Sequence, residues 1–338
     1  MEKFAIGVDL GGSNLRIGAY TSSGEALASV AFPTDAGSGY GPVIDKMCEA
    51  IRALHAETSG YGKFAGIGVG SPGPLSLPDG VLHNPPNLPG WDGVQLRREM
   101  SNRLAWPVWV DSDANVAALA ECRLGAAAEY DIDSLCMITL GTGVGGGIVL
   151  EGRLWHGMNG GAGEVGHGPL ILDGPKCNCG ARGCLELYAS ATAIVRRAHE
   201  LKLDGVPHDA NDACANAFTA ADVAQLAAQG NPVARQIYDE AGFALGLGIA
   251  NLINTLNLPL FTIGGGVSAA WDLFSPRMFA TIEEFSYVYG MSRPAQVDIF
   301  EAGKTHICRA RLGPDAGLLG AAMLPWQTAR HHALSSAG

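Results

Sequence analysis

Residues 163–186, GEVGHGPLILDGPKCNCGARGCLE, constrain the chain more than any other stretch. Nine residues separate His167 from Cys177, one separates Cys177 from Cys179, and four separate Cys179 from Cys184. One ion can collect four ligands spaced in this way, and Cys₃His is a structural zinc set. Gly180 and Gly183 let the chain turn tightly between the sulfurs. The protein fills all four metal positions, which leaves none open for catalysis at the metal. Two carboxylates, Glu164 and Glu186, flank the set and are not needed to complete it. The metal either staples its own loop and no more, or also places Glu164, His167 and Glu186 for chemistry.

A chain of 338 residues has material for two domains. With 47% hydrophobic and 16% charged residues it folds into a globular protein. The 47 glycines, about twice the usual share, cluster without a period, which excludes collagen and points to backbone close to a ligand. A net charge of −11 argues against a general nucleic-acid or anionic-membrane binder. The start, MEKFAIGVDLGG, has an acidic second residue and no apolar stretch of signal-peptide type. Outside the metal set, Cys48, Cys122, Cys136, Cys214 and Cys308 are scattered singly, as expected of reduced cysteines, several of them in the core. A cytoplasmic location fits them. Residues 241–271 carry no formal charge, but Asn251, Asn254, Asn257 and Pro259 interrupt the run. It reads as a buried helix followed by a buried strand and not as a membrane span.

Residue alternation predicts strands at 3–9, 15–20 and 25–32, the first two joined by Gly11 and Gly12. Helical spacing follows at 43–57, then strands at 64–69 and 108–110 and an alanine-rich helix from Asp113 to about residue 122. The Pro-rich segments around Gly73 and Asn87 are shaped loops. A second strand–glycine–strand unit spans 135–150, and Asp9-Leu-Gly-Gly-Ser aligns with Thr139-Leu-Gly-Thr-Gly at two identities in five. If it is a repeat, the chain holds two related halves. A long helix is expected over 232–256, a strand over 260–263 running into Gly264, Gly265 and Gly266, a last strand over 297–300 and a last helix over 315–324.

Glycine turns at strand ends suit phosphate, because unhindered N–H groups can surround its oxygens. Gly11, Gly12 and Ser13 would form one wall and Gly141, Thr142 and Gly143 the other, with Gly264, Gly265 and Gly266 after a third strand. Asp9, ending the first strand, suits Mg²⁺, directly or through water. Phosphoryl transfer to a hydroxyl also needs a carboxylate to take its proton. Asp111 and Asp113, in DSDAN between a strand and a helix, both suit that role, and either also suits a helix N-cap.

These landmarks, in order, resemble the ROK family (repressors, open reading frames, kinases) of sugar kinases. The resemblance rests on DLGGSNLRIG at 9–18, LGTGVGGGI at 140–148, GEVGH at 163–167, CNCGARGCLE at 177–186, TIGGGVS at 262–268 and GPDAGLLGAA at 313–322. It implies an α/β protein of the actin-like ATPase (duplicated ribonuclease H-like) fold, with two lobes, a central cleft and an inserted zinc motif. The smaller lobe is expected over 1–115 with 304–325 returning, the larger over 116–303, and a tail from 326. The implied activity is ATP-dependent phosphorylation of the 6-hydroxyl of a hexose, with glucose first. Mannose, fructose, allose and N-acetylhexosamines are alternatives, as is a sugar-sensing protein without catalysis. The family's catalytic Asp falls on Asp113. Glu164, His167 and Glu186 would bind sugar hydroxyls, with Gly73 and Asn87 lining the sugar side. The family usually has Asn before its base; here Ser112 stands there, and one sugar contact changes with it. Family members are commonly dimers or tetramers. The repressors carry a DNA-binding segment ahead of the first strand, for which a strand starting at Lys3 leaves no room.

Overall fold

In the computed structural model, which describes residues 2–203, 218–297 and 299–327, the first strand, Lys3–Leu10 (β1), divides its side chains by period two. Phe4, Ile6, Val8 and Leu10 enter an apolar core. Ala5, Gly7 and Asp9 face the other way. The remaining strands are β2 (Asn14–Thr21), β3 (Ala26–Pro33), β4 (Lys63–Ser71), β5 (Leu75–Ser76), β6 (Val81–Leu82), β7 (Val108–Ser112), β8 (Leu135–Leu140), β9 (Val144–Leu150), β10 (Arg153–Leu154), β11 (Leu260–Gly264) and β12 (His306–Arg309). The helices are α1 (Tyr40–Thr58), α2 (Leu96–Leu104), α3 (Asp113–Arg123), α4 (Ala126–Glu129), α5 (Glu186–Ala189), α6 (Ala191–Glu200), α7 (Ala220–Ala228), α8 (Pro232–Leu256), α9 (Trp271–Phe285), α10 (Tyr287–Ser292) and α11 (Ala316–Gln327).

The strands form two five-stranded sheets of one topology, β3-β2-β1-β4-β7 and β10-β9-β8-β11-β12. Each opens with a glycine-turned hairpin and adds two parallel strands beside its first strand. Register extends the likeness to single residues. Asp9 pairs with Gly70 on β4, and Thr139 pairs with Gly264 on β11. The short repeat in the sequence is therefore a repeat of structure.

The described residues gather into two compact units, one drawn from 1–135, 147–163 and 311–338, the other from 136–146 and 164–310. In the first unit α3 packs on α11, and in the second β12 pairs with β11. Trp326 and Gln327 belong to α11.

In the first unit, α1 supplies Val43, Ile44, Met47 and Ile51 to the core, and Leu88 and Trp91 of the Pro-rich loop are fully buried beside them. On the opposite face α11 comes close enough that a Cβ on Gly7 or Gly68 would overlap the carbonyl oxygen of Leu318 or Ala321. A Cβ on Gly320 would likewise overlap the carbonyl of Val116 on α3. In the second unit, the uncharged run becomes the later part of α8 and β11, whose five residues are all buried. Asn231 caps α8 by accepting from the N–H groups of Val233 and Ala234, and Asn257 ends it in the left-handed conformation. Gly242 and Gly246 let α9 approach α8, and Asn254 accepts from Ser286 Oγ and Val288 N at the α9–α10 junction.

The strand expected over 297–300 does not form. Val297 and Ile299 are exposed, Asp298 lies outside the described residues, and the last strand is His306–Arg309. The chain there pairs in parallel with β11, which an apolar run alone does not reveal. Cys48, Cys122 and Cys136 are buried, Cys308 is half-buried, and Cys214 lies outside the described residues. Burial pushes Cys48 and Cys122 up to about 11 and Cys136 up to about 12, so all three are inert thiols at neutral pH. Among the described residues no helix is long and apolar enough to cross a membrane.

Gly320→Ala tests the helix contact. Alanine favours an exposed helix interior by about 1 kcal/mol, whereas overpacking against fixed backbone costs roughly 1–3 kcal/mol or more. The melting temperature is expected to fall by several degrees. Gly290→Ala, at a helical site with nothing within 4 Å of an added Cβ, is the control and should leave it unchanged or raise it. A Gly320→Ala protein as stable as wild type refutes the close packing.

Candidate active site

The cysteines of the metal set are placed by tight turns within one loop. Cys177 N–H donates to Ala181 O at 2.8 Å and Gly180 N–H to Cys177 O at 3.0 Å, closing a tight turn. Gly183 has φ 64°, and a Cβ there would overlap the carbonyl of Ile171. The ligand atoms of His167, Cys177, Cys179 and Cys184 all lie within 4.8 Å of one another. Tetrahedral zinc with bonds of about 2.3 Å holds its sulfurs about 3.8 Å apart, and Cys179 Sγ and Cys184 Sγ are 3.7 Å apart. The donor set therefore fits zinc. The Ala181 N–H lowers the Cys179 thiol, while burial pushes Cys184 up to about 12. A coordinating cation overrides such burial and deprotonates the thiol outright.

His167 divides its ring between two tasks. Nδ1 lies 3.7 Å from Cys177 Sγ, within the ligand cluster. Nε2 points away and lies 3.9 Å from the exposed carboxylate of Glu164. Glu186, one residue past the Cys184–Leu185 pair, opens α5 and reaches the second glycine turn, where its Oε2 accepts the Val144 N–H at 3.0 Å. The structure thus brings Glu164, His167 and the three cysteines together, and links Glu186 to residues 143–144.

The glycines of that turn and of the segment at the end of β11 sort by what packing demands. A Cβ on Gly265 would overlap Leu140 O, and its φ is 84°, so structure alone requires glycine there. An added Cβ on Gly141 or Gly266 would meet nothing within 4 Å, and neither has positive φ. Their open surroundings leave the backbone reachable. Carbonyls of the turn face inward: Gly141 O accepts from Ala191 N at 2.8 Å and Thr142 O from Thr192 Oγ1 at 2.8 Å. Gly264 is buried behind them, beside Met137.

In the first unit, Gly11 N–H donates to Asn14 O at 3.0 Å, and Ser13 and Asn87 are exposed. A Cβ on Gly12 would stand 2.7 Å from Asn87 O, so this turn and the Pro-rich loop touch. A Cβ on Gly73 would meet only Leu75 N, at 3.6 Å, and packing does not demand glycine there. Asp9 is engaged: Arg16, its partner across the hairpin, donates to Oδ2 from Nη2 at 2.7 Å and Nε at 3.1 Å. Arg16 also reaches Asp315 at 3.2 Å and the carbonyl of Pro314.

The two aspartates of DSDAN separate clearly. Asp111 is 3% exposed, and its oxygens accept from Ser112 N at 2.9 Å, Asn115 Nδ2 at 2.8 Å and His156 Nε2 at 2.7 Å. Asp113 is the exposed first residue of α3. Neither is the N-cap; Ser112 is, accepting the Asn115 N–H at 3.2 Å. That hydroxyl keeps its own O–H to donate.

Sequence reasoning missed Arg16, His156 and Glu121. Arg16 was within reach, since a hairpin closing at Gly11 and Gly12 sets it opposite Asp9. His156, 45 residues from Asp111, gave no such signal. The Asp111 carboxylate holds its imidazole above the usual histidine range. Glu121 is fully buried on α3 and accepts from Ala126 N at 2.9 Å and Leu312 N at 2.7 Å, bridging α3, α4 and the approach to α11.

Comparison with known proteins shows the family and the fold. The "Glucokinase" of Halalkalibacterium halodurans is 35% identical over 334 residues, covering 96% of this chain and 95% of its own. The crystal structure of a ROK hexokinase from Thermus thermophilus superimposes with a TM-score of 0.80 at 31% identity, covering 97% of this chain and 99% of that one. A ROK family glucokinase from Streptomyces griseus, solved in complex with glucose and AMPPNP, gives 0.74 at 31% identity, over 96% and 99%. The fold is that of the actin-like ATPases. The ROK family model matches residues 5–328, and the chain belongs to the ROK family.

Proposed function

We propose that the protein is an ATP-dependent hexokinase acting on the 6-hydroxyl of glucose. The observation that carries this reading is the duplication: two sheets of one topology each end their first hairpin in a glycine turn. Such turns offer backbone N–H groups to phosphate oxygens, and phosphoryl transfer needs placement and charge stabilisation above all. The likeness to a glucokinase solved with glucose and AMPPNP supports the choice of sugar and donor.

In this reading Gly11, Gly12, Ser13, Gly141, Thr142, Gly143, Gly264, Gly265 and Gly266 serve the nucleotide. Asp113 takes the proton of the 6-hydroxyl as its oxygen bonds to the γ-phosphorus and ADP leaves. The exposure of Asp113, against the burial of Asp111, favours it as base. Glu164, His167 and Glu186 bind sugar hydroxyls, with Gly73, Asn87 and Ser112 on the same substrate. Asp9 would hold Mg²⁺, directly or through water, and the ion would offset phosphate charge. His167, Cys177, Cys179 and Cys184 would hold zinc, whose part is to fix the loop. We further infer a cytoplasmic enzyme that assembles as a dimer or tetramer.

ADP release with Mg-ATP across glucose, mannose, fructose, allose and N-acetylhexosamines tests the reading. Glucose should give the highest kcat/KM; no stimulation by any sugar would make this a binding protein. Asp113→Asn should lower kcat by roughly 10²–10⁴-fold while glucose affinity and melting temperature stay near wild type. If it keeps a tenth of the activity and Asp111→Asn does not, the base is Asp111.

Metal analysis should find about one zinc per chain, by the four-ligand count. Cys179→Ala is expected to lose the metal, melt earlier and bind glucose more weakly, all together. A zinc-free preparation with full activity would remove zinc from the account.

A further inference from the structure

We propose that His156 is a positioning residue for phosphoryl transfer, fastening the segment that carries Asp113 to the loop that leads into Glu164. The proposal rests on the kinase reading above. Its first support is the hydrogen bonding of residues 111–115. Asp111 accepts from Ser112 N and Asn115 Nδ2, Ser112 caps α3 through Asn115 N, and Asp113 Oδ1 accepts the Ala114 N–H at 2.7 Å. Every one of those bonds lies within five consecutive residues. His156 comes from 41 residues further along the chain than Asn115 and donates to Asp111 Oδ2 at 2.7 Å.

The second support is what the His156 backbone does. Its carbonyl accepts from Gly160 N and Ala162 N, both at 3.1 Å. It thereby shapes residues 156–162, after which the chain passes through Gly163 to Glu164. Its own approach is set by Trp155 N–H, which donates to Ile148 O at 2.8 Å in the β9–β10 hairpin. One residue thus holds the strand–helix junction before Asp113 by its ring and a loop before Glu164 by its carbonyl.

Burial makes the ring bond consequential. Asp111 is 3% exposed, so removing the imidazole leaves one carboxylate oxygen without its donor where water is scarce. The carboxylate must then turn toward another donor, and the bonds to Ser112 and Asn115 turn with it. A base displaced by even about 1 Å can cost up to about a hundredfold in rate. Asn115, itself 2% exposed, already has Oδ1 without a partner among the described residues, so the junction has little slack for rearrangement.

The experiment measures hexose-dependent ADP release, with KM for glucose and for ATP, below every variant's melting transition. Wild type comes first: no release with any hexose defeats the kinase reading, and this proposal with it, before any variant is compared. Given an active wild type, His156→Ala should lose about tenfold or more in kcat with KM for ATP within about twofold. His156→Gln, whose amide can donate to Asp111, should recover most of that loss. Asp111→Asn should lose a similar factor, and the double variant should be no worse than either single one, as members of one unit behave. If His156→Ala does not fold, His156→Gln near wild type beside an impaired Asp111→Asn supports the proposal. A His156→Ala kcat within twofold of wild type, an unrescued His156→Gln, or additive losses in the double variant overturns it and leaves the kinase reading standing.

Discussion

Three glycines decide how closely α11 can lie in its unit. Gly7 and Gly68 clear one face of the sheet, and Gly320 clears the helix for α3. With backbone against backbone, α11 becomes the common reference for two strands and a helix. Its first residues stand beside Asp9, where a Cβ on Gly317 would lie 3.4 Å from both carboxylate oxygens. The helix it touches, α3, begins at Asp113. Two acidic groups from distant parts of the sequence are thus set by one contact that tolerates no added carbon. Glu121 ties the same parts together through fixed peptide N–H groups instead of a cation.

Much of this was legible before any coordinates. Elements that declare themselves locally were read well: β1 by its alternation, and α8 by Pro232 and the uncharged run. The Cys₃His set was legible for the same reason, since all four ligands lie within eighteen consecutive residues, 167–184. What failed depended on partners far along the chain. Residues 297–300 have the composition of a strand but no place beside β11, which 306–309 occupies. His156 looks like any loop histidine until Asp111 is opposite it. That Asp111 is buried and Asp113 exposed is likewise hidden in the sequence, because burial is a property of the packed unit.

The metal loop illustrates how local order can extend outward. Its turns are closed by its own peptide groups, and Gly183 brings the chain against the Ile171 carbonyl. From that anchored loop His167 turns one nitrogen inward and the other toward Glu164. On the far side Glu186, two residues after Cys184, opens α5 and meets the peptide N–H of Val144. Gly166 presses against the carbonyl of the same Val144. Both flanks of the loop therefore converge on the start of β9.

The matched registers of the two sheets have an evolutionary consequence. Asp9 corresponds to Thr139 by pairing with glycine on the neighbouring strand. One strand further on, Asp111 pairs with that glycine in the first sheet, and in the second Ala310, one residue past β12, lies 3.2 Å from a Cβ built on Gly264. Ladder bonds are made by backbone alone, so exchanging a side chain at these positions leaves a sheet intact. A duplicated ancestor could therefore diverge at its strand ends while both copies kept folding. One copy now carries carboxylates there and the other carries none, so the frame is inherited twice and its charge only once.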